Sequence, residues 1–182
     1  MKTTILFAAA LAGLALSQAA PIHASPVQAK GPPIYSTSRV LEPRDEVMVG
    51  LIAFFDAIRN PDKTALSEVM LPEGMIFIHN RMNPQNTAVT AVPVSDHLSR
   101  WGKSTATVDE RMIVKSLIVD GDMAHVWGPY RFVTEGETSH CGVNSLSLVK
   151  TDNDGWKVAN TSFSMVPPSQ CSAIGAPEPK EQ

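Results

Sequence analysis

Only two cysteines, Cys141 and Cys171, occur in the 182 residues, so the chain can build neither a cysteine-dense disulfide scaffold nor a paired-cysteine zinc site. It also lacks a His-Glu-x-x-His run, and no metal is expected. Basic residues are not in excess. With a formal charge of -3 and an isoelectric point near 5.9, there is no electrostatic reason to expect nucleic acid or an acidic membrane surface as partner. Runs of like charge and internal repeats are missing too, which leaves no charged tail and no solenoid to consider. What is present is a hydrophobic fraction of 43%, enough for a globular core, in a length that suits one domain.

The N-terminal stretch carries Lys2, an apolar run over 5–16, and then Ser17-Gln18-Ala19, the pattern of a secretory signal peptide over 1–19. Ser17 and Gln18 interrupt the run short of the roughly 20 apolar residues that a spanning anchor needs. With no cysteine near the cleavage region, a lipid-modified form is disfavoured, and a periplasmic or secreted protein without a membrane partner is expected. Export would permit a Cys141–Cys171 disulfide; the alternative is a packed strand thiol at Cys141 and a free one at Cys171. Residues 20–43, rich in Pro, Ser and Ala, read as a linker or arm, and 167–182 as a flexible tail. The domain is therefore expected over 44–166.

Within it, Val47, Leu51, Phe54, Phe55 and Ile58 recur at helical spacing behind acidic first-turn residues, predicting an amphipathic helix over 45–60. A short second helix is expected over 63–70, ended by Pro72 and Gly74. Met75-Ile76-Phe77-Ile78-His79 predicts a strand apolar enough to be covered on both faces. A loop or weak hairpin follows, and a third helix starts at Pro93 and runs through His97 and Trp101. From 110 to 165 the chain predicts four consecutive antiparallel strands, joined at Asp120-Gly121, Glu135-Gly136 and the polar run 151–155. Helices followed by a meander make an α+β domain with three N-terminal helices packed on a curved, mostly antiparallel sheet.

Ideal turns fix a register in which Val119 faces Asp122, Thr134 faces Glu137 and Lys150 faces Gly155, unless a bulge intervenes. On that register one face carries His125, Trp127, Pro129, His140, Asn144, Leu146, Leu148, Thr161 and Phe163, and it is assigned to the interior as the more apolar. His125 and His140 share that face but lie about 20 Å apart at the strand rise, too far to share an ion. Glu110, Arg131 and His140 form a cross-strand polar row, read either as an anion or carbonyl clamp with His140 as proton carrier or as a structural ion pair. Trp127, Asn144 and Thr161 form a second inward cluster suited to ligand contact, which Trp101 and His79 could close. Asp56, one residue off the helix stripe, is a candidate general base if buried and a solvated residue otherwise. His97 reads as a helix-surface residue. Ser139 and His140, adjacent in a strand, point to opposite faces and so cannot form a nucleophilic dyad.

The run Val126-Trp127-Gly128-Pro129-Tyr130-Arg131-Phe132, the strand Ser139-His140-Cys141-Gly142-Val143-Asn144 and the hairpin from Leu148-Val149-Lys150-Thr151 to Gly155-Trp156-Lys157-Val158 resemble the nuclear transport factor 2-like superfamily. The similarity is greatest to its bacterial SnoaL-like and lumazine-binding-like members. It implies a cone-shaped α+β barrel with a central cavity, often dimeric through the open sheet. The superfamily holds isomerases, dehydratases, cyclases and non-catalytic binding proteins, so the resemblance transfers no catalytic residue. Three functions follow as expectations. The first is an exported small-molecule-binding protein without a cofactor, its pocket lined by Trp127, Asn144, Arg131 and His140. The second is a cofactor-independent isomerase, dehydratase or cyclase using Asp56 or a pocket histidine. The third is a dimeric interaction module with a filled core. A pocket carboxylate or histidine with a strongly shifted pKa would favour the enzyme.

Overall fold

The computed structural model describes residues 41–179; the expected signal peptide 1–19, nearly all of the arm 20–43 and residues 180–182 lie outside that range. Helix α1, Pro43–Arg59, opens with a proline in its first turn, where a missing N–H costs nothing. Asp45 and Glu46 sit at its positive end and Arg59 at its negative end. Its stripe of Val47, Leu51, Phe54, Phe55 and Ile58 is buried as the spacing predicts, each side chain contributing about 2 kcal/mol on leaving water. The expected second helix is a 3-10 helix, Lys63–Glu68, whose start is capped by the Asp62 carboxylate accepting from the Thr64 N–H. Strands β1 (Met75–Asn80) and β2 (Ala88–Pro93) pair as a hairpin, and α2 (Val94–Trp101) follows directly.

Strands β3 (Val108–Met112), β4 (Ser116–Asp120), β5 (Met123–Thr134), β6 (Glu137–Thr151) and β7 (Gly155–Met165) complete a curved, open sheet. Its order is β2-β1-β7-β6-β5-β3, with β4 also paired to β5. Of these strand pairs β1–β7 is parallel and the others are antiparallel. Helix α1 packs across β7, β3 and β4, and burying its stripe against them makes the core. The α+β class and the helix-then-meander order match the expectation.

The register departs from it in five places. The expected first long strand is broken at residues 113–115, where the Ile113 and Lys115 N–H groups donate to Pro129 and Trp127 across Gly128. A Cβ at Gly128 would lie 2.0 Å from the Ile113 carbonyl oxygen, so only glycine allows the two backbones this close. At the first turn Asp120 pairs with Met123, one position past the ideal, and so Val119 faces Ala124 instead of Asp122. The Glu135-Gly136 turn behaves as expected: both residues have positive φ (51° and 84°) and Thr134 faces Glu137. A bulge four residues later leaves Ser139 unpaired and sets Phe132 against His140. At the last hairpin Lys150 faces Trp156, and another irregularity follows Ser147.

A one-residue slip turns a whole strand over. On β5 the inward set is therefore Ala124, Val126, Tyr130 and Phe132, all at least half-buried, while Trp127 on the outer face is 43% exposed. Phe77 is 40% exposed, so β1 is not covered on both faces.

The segment expected as a flexible tail is instead tied to the sheet. Cys141 and Cys171 form a disulfide with their Cα atoms 5.6 Å apart, and with Val166 and Ala176 they make a small second core. Past it, Arg131 donates from Nε to the Pro177 carbonyl.

Candidate functional site

Between the helices and the inner sheet face lies a cavity of about 260 Å³, at the small end of ligand sites. Phe54 and Ile58 of α1, His97 and Trp101 of α2, and Leu66 and Met70 from the 3-10 segment form one wall. Glu110 of β3, Tyr130 and Phe132 of β5, His140 and Asn144 of β6, and Thr161, Phe163 and Met165 of β7 form the other. The lining is mainly apolar and aromatic. Its polar groups gather where β3, β5 and β6 run side by side.

Glu110, Phe132 and His140 occupy one cross-strand row. This is the expected polar row with Phe132 in the place given to Arg131, so the neutralising guanidinium is absent from it. Asn144 reaches across the sheet to donate from Nδ2 to Glu110 Oε1 at 2.7 Å. The second carboxylate oxygen, Oε2, has no protein hydrogen bond among the described residues. Burial pushes the Glu110 carboxyl up to about 7, against the pull of the Asn144 hydrogen bond and the charge of Arg59, with Asp109 adding to the push. Arg59 itself is anchored outside, donating to the Glu110 main-chain carbonyl at 2.8 Å and pairing with Asp56.

His140 is buried, stacks on Phe132 with centroids 5.0 Å apart and meets Tyr130 edge-on. Burial pushes its imidazole down to about 4, so it is neutral at physiological pH. Contrary to the alternation rule, Ser139 Oγ lies 3.1 Å from His140 Nδ1, because the bulge at Ser139 rotates it out of strand geometry. Ser139 is exposed and lies outside the cavity. Tyr130 donates its hydroxyl to the Ser164 carbonyl, and its own acidity is suppressed first by burial and then by the Glu110 charge.

The structure brings Asn144, His140, Thr161 and Trp101 together at the cavity as expected. It separates the other candidates from it. Trp127 projects from the outer face, and Arg131, though buried, lies under the C-terminal segment, bonded to Thr138 and paired with Glu178. Both errors come from the bulge at Ser139, which sets β5 one residue out of the expected register against β6. His79 bonds Ser162 on the outer face. Asp56 has a side chain 64% exposed and paired with Arg59, too far into solvent to serve as a buried base. His97, expected on the helix surface, lines the cavity and stacks on Trp101 at 5.6 Å. Glu110 is the group the sequence undervalued. The signal was an acidic residue at an inward position of a strand that otherwise alternates, Val108, Glu110 and Met112 inward. Among the described residues no group of three His, Cys, Asp or Glu side chains is placed to hold a metal ion.

No family model and no curated protein matches the sequence. Solved structures do resemble it in fold. One is a nuclear transport factor 2-like protein from Cytophaga hutchinsonii, at 14% identity, covering 69% of this chain and 99% of that one with a TM-score of 0.54. A second, from Novosphingobium aromaticivorans, is described as nuclear transport factor 2-like with a cystatin-like fold, at 14% identity, 72% and 88% coverage and a TM-score of 0.52. A third, from Streptomyces avermitilis, is provisionally named a dehydratase of that family, at 19% identity, 68% and 96% coverage and a TM-score of 0.50. With the helix layer, the sheet order and the enclosed cavity, these likenesses give this chain the nuclear transport factor 2-like, cystatin-like α+β fold.

Proposed function

We propose that this domain binds a small, largely apolar molecule in its cavity and moves a proton on it through Glu110. The observation that carries the reading is a carboxylate buried among aromatic rings, steadied on one oxygen by Asn144 and titrating near 7. A group poised there exists in both forms at neutral pH, so the ionised carboxylate can take a proton from one ligand atom and the carboxylic acid can return it to another. Isomerisation, or elimination in which the leaving hydroxyl departs as water, balances with nothing else consumed. Neutral His140 supplies a second hydrogen-bonding group on the same wall without adding charge. Glu110 replaces Asp56 and the histidines as the acid–base group of this scheme.

The test is solvent-deuterium incorporation into a panel of small carbon acids, followed by NMR, for the wild type and Glu110→Gln. Incorporation that depends on Glu110 is expected. Equal incorporation by both proteins would remove Glu110 as the proton carrier, and incorporation by neither would leave a binding site without chemistry.

The disulfide supports the export reading, because such bonds persist in oxidising compartments. The outer sheet face, where Trp127, Phe77 and Ile118 stay exposed, supports pairing of two copies through the sheet. Sedimentation of the mature protein, with Trp127→Lys as the disrupting variant, tests it.

A further inference from the structure

The cavity lining holds one buried carboxylate, and among the described residues no arginine or lysine lines it. Among the described residues Glu110 offers a carboxylate oxygen without a protein partner, and Asn144, with one Nδ2 hydrogen given to Glu110, keeps its Oδ1 and its second Nδ2 hydrogen. Two of the donors nearby are used or sealed, while the Thr161 hydroxyl and the ring nitrogens of His97 and His140 can each donate or accept. Tyr130 gives its hydroxyl to Ser164, and Trp101 Nε1 is buried with no surface open to the cavity. Among the described residues no arginine or lysine side chain is part of the lining; Lys63, over the Trp101 ring at 5.5 Å, gives its ammonium to the Ile58 carbonyl. Around this pair stand aromatic residues: Phe132 directly across from Glu110, Tyr130 beside it, and Phe163 directly across from Asn144.

Acceptors backed by a negative charge and walled by aromatic rings complement a positive charge on an apolar body, since cations are drawn to ring faces within about 6 Å and to carboxylates through charge-assisted bonds. We propose that the ligand is a primary or secondary amine on a compact apolar frame, its ammonium held between Glu110 and the Asn144 carbonyl. The assignment rests on the cavity being the ligand site and names the class of molecule it takes. Carboxylates and phosphates are disfavoured while Glu110 is ionised, because they would meet a like charge with no arginine or lysine among the described lining residues to offset it.

The groups that face Glu110 are Asn144 and His140 from β6, Phe132 and Tyr130 from β5, the neighbouring Asp109, and Arg59 from α1. His140 stays neutral above about 4, and His97, at the α2 wall, is also pushed down, by burial first and then by Arg100. Glu110 is thus the cavity group that titrates near 7, and both histidines are displaced below the ordinary 6.5.

The experiment is a calorimetric or NMR titration of the mature protein with four matched rings: benzylamine, benzyl alcohol, benzoate and toluene, at pH 6 and pH 8. A cavity of about 150 Å³ already admits benzene, so the 260 Å³ here has room for each. Benzylamine should bind at least tenfold tighter than the other three at pH 8. Its affinity should fall several-fold by pH 6, as protonation of Glu110 competes with the ammonium. Glu110→Gln should lose the amine preference and its pH slope; the slope in the wild type needs no variant. Equal binding of toluene or benzyl alcohol, or an amine preference that survives Glu110→Gln, overturns the amine assignment and leaves the cavity as a ligand site. Binding by none of the four overturns both.

Discussion

Replacing Glu110 by Gln should make the protein more stable at alkaline pH and leave it nearly unchanged in mild acid. In the unfolded chain this carboxyl titrates near its ordinary 4.5, and in the folded protein near 7. Between those values the native state holds a proton that the unfolded state has released. The unfolded state then binds fewer protons, so the free energy of unfolding falls as pH rises. Over that interval, at about 1.4 kcal/mol per pH unit, the loss accumulates to about 3 kcal/mol and is complete about one unit above pH 7. Glutamine keeps an oxygen for Asn144 Nδ2 but cannot ionise, so the variant escapes the loss. Arg59 and Asp109 remain in both proteins and cancel in the difference. Urea unfolding with the disulfide intact, in half-unit steps from pH 4.5 to 8.5, should give a variant-minus-wild-type difference rising from near zero to about 3 kcal/mol. For a domain of this size that corresponds to a midpoint about 10 °C higher at pH 8. A difference that stays flat across the range would refute the buried, proton-retaining carboxylate on which the proposed chemistry rests.

His140 should act with the opposite sign. Its folded-state value is depressed from 6.5 to about 4, so the stability its burial permits is fully present above about pH 6.5 and is lost as pH falls toward 4, about 3 kcal/mol in all. Acid unfolding of His140→Gln, compared with wild type, should therefore begin at lower pH. Cys171→Ser should cost about 3.5 kcal/mol on the loop-entropy account for a 30-residue separation and open the segment past Pro167 to protease; an unchanged denaturation midpoint would show the bridge to be dispensable. Asn144→Leu removes the hydrogen bond that favours the ionised carboxylate and should raise the Glu110 titration further, read by side-chain carbon NMR, while weakening retention of bound ligand. Trp127→Ala, on the outer face, should leave retention as it was.

Some elements were legible because local energetics fixes them. Helix α1 announces itself through one-sided burial at a 3.6-residue period, and the Glu135-Gly136 turn through the positive φ that glycine readily takes. Asn144, His140 and Thr161 were placed correctly because β6 and the cavity end of β7 kept the phase expected for them. Trp127 and Arg131 were misplaced because nothing in the letters marks the bulge at Ser139, which sets β5 one residue out against β6, or the break at 113–115, which does the same against β3. Those irregularities settle a conflict between pairing along the strands and packing across the sheet, and the packing partners are far away in sequence.

The chain by itself determined its class, its helix-then-meander order, most of its turns and the two cysteines available for a bridge. Tertiary structure decided which side of β5 faces the helices, that the C-terminal segment is fastened to the sheet, and that Glu110 has Asn144 in place of an arginine beside it. The division follows from range. Propensity and turn chemistry act over a few residues, whereas a carboxylate's proton affinity depends on how much water is excluded from it, and here that exclusion is the joint work of β3, β5, β6, β7 and the helices above them.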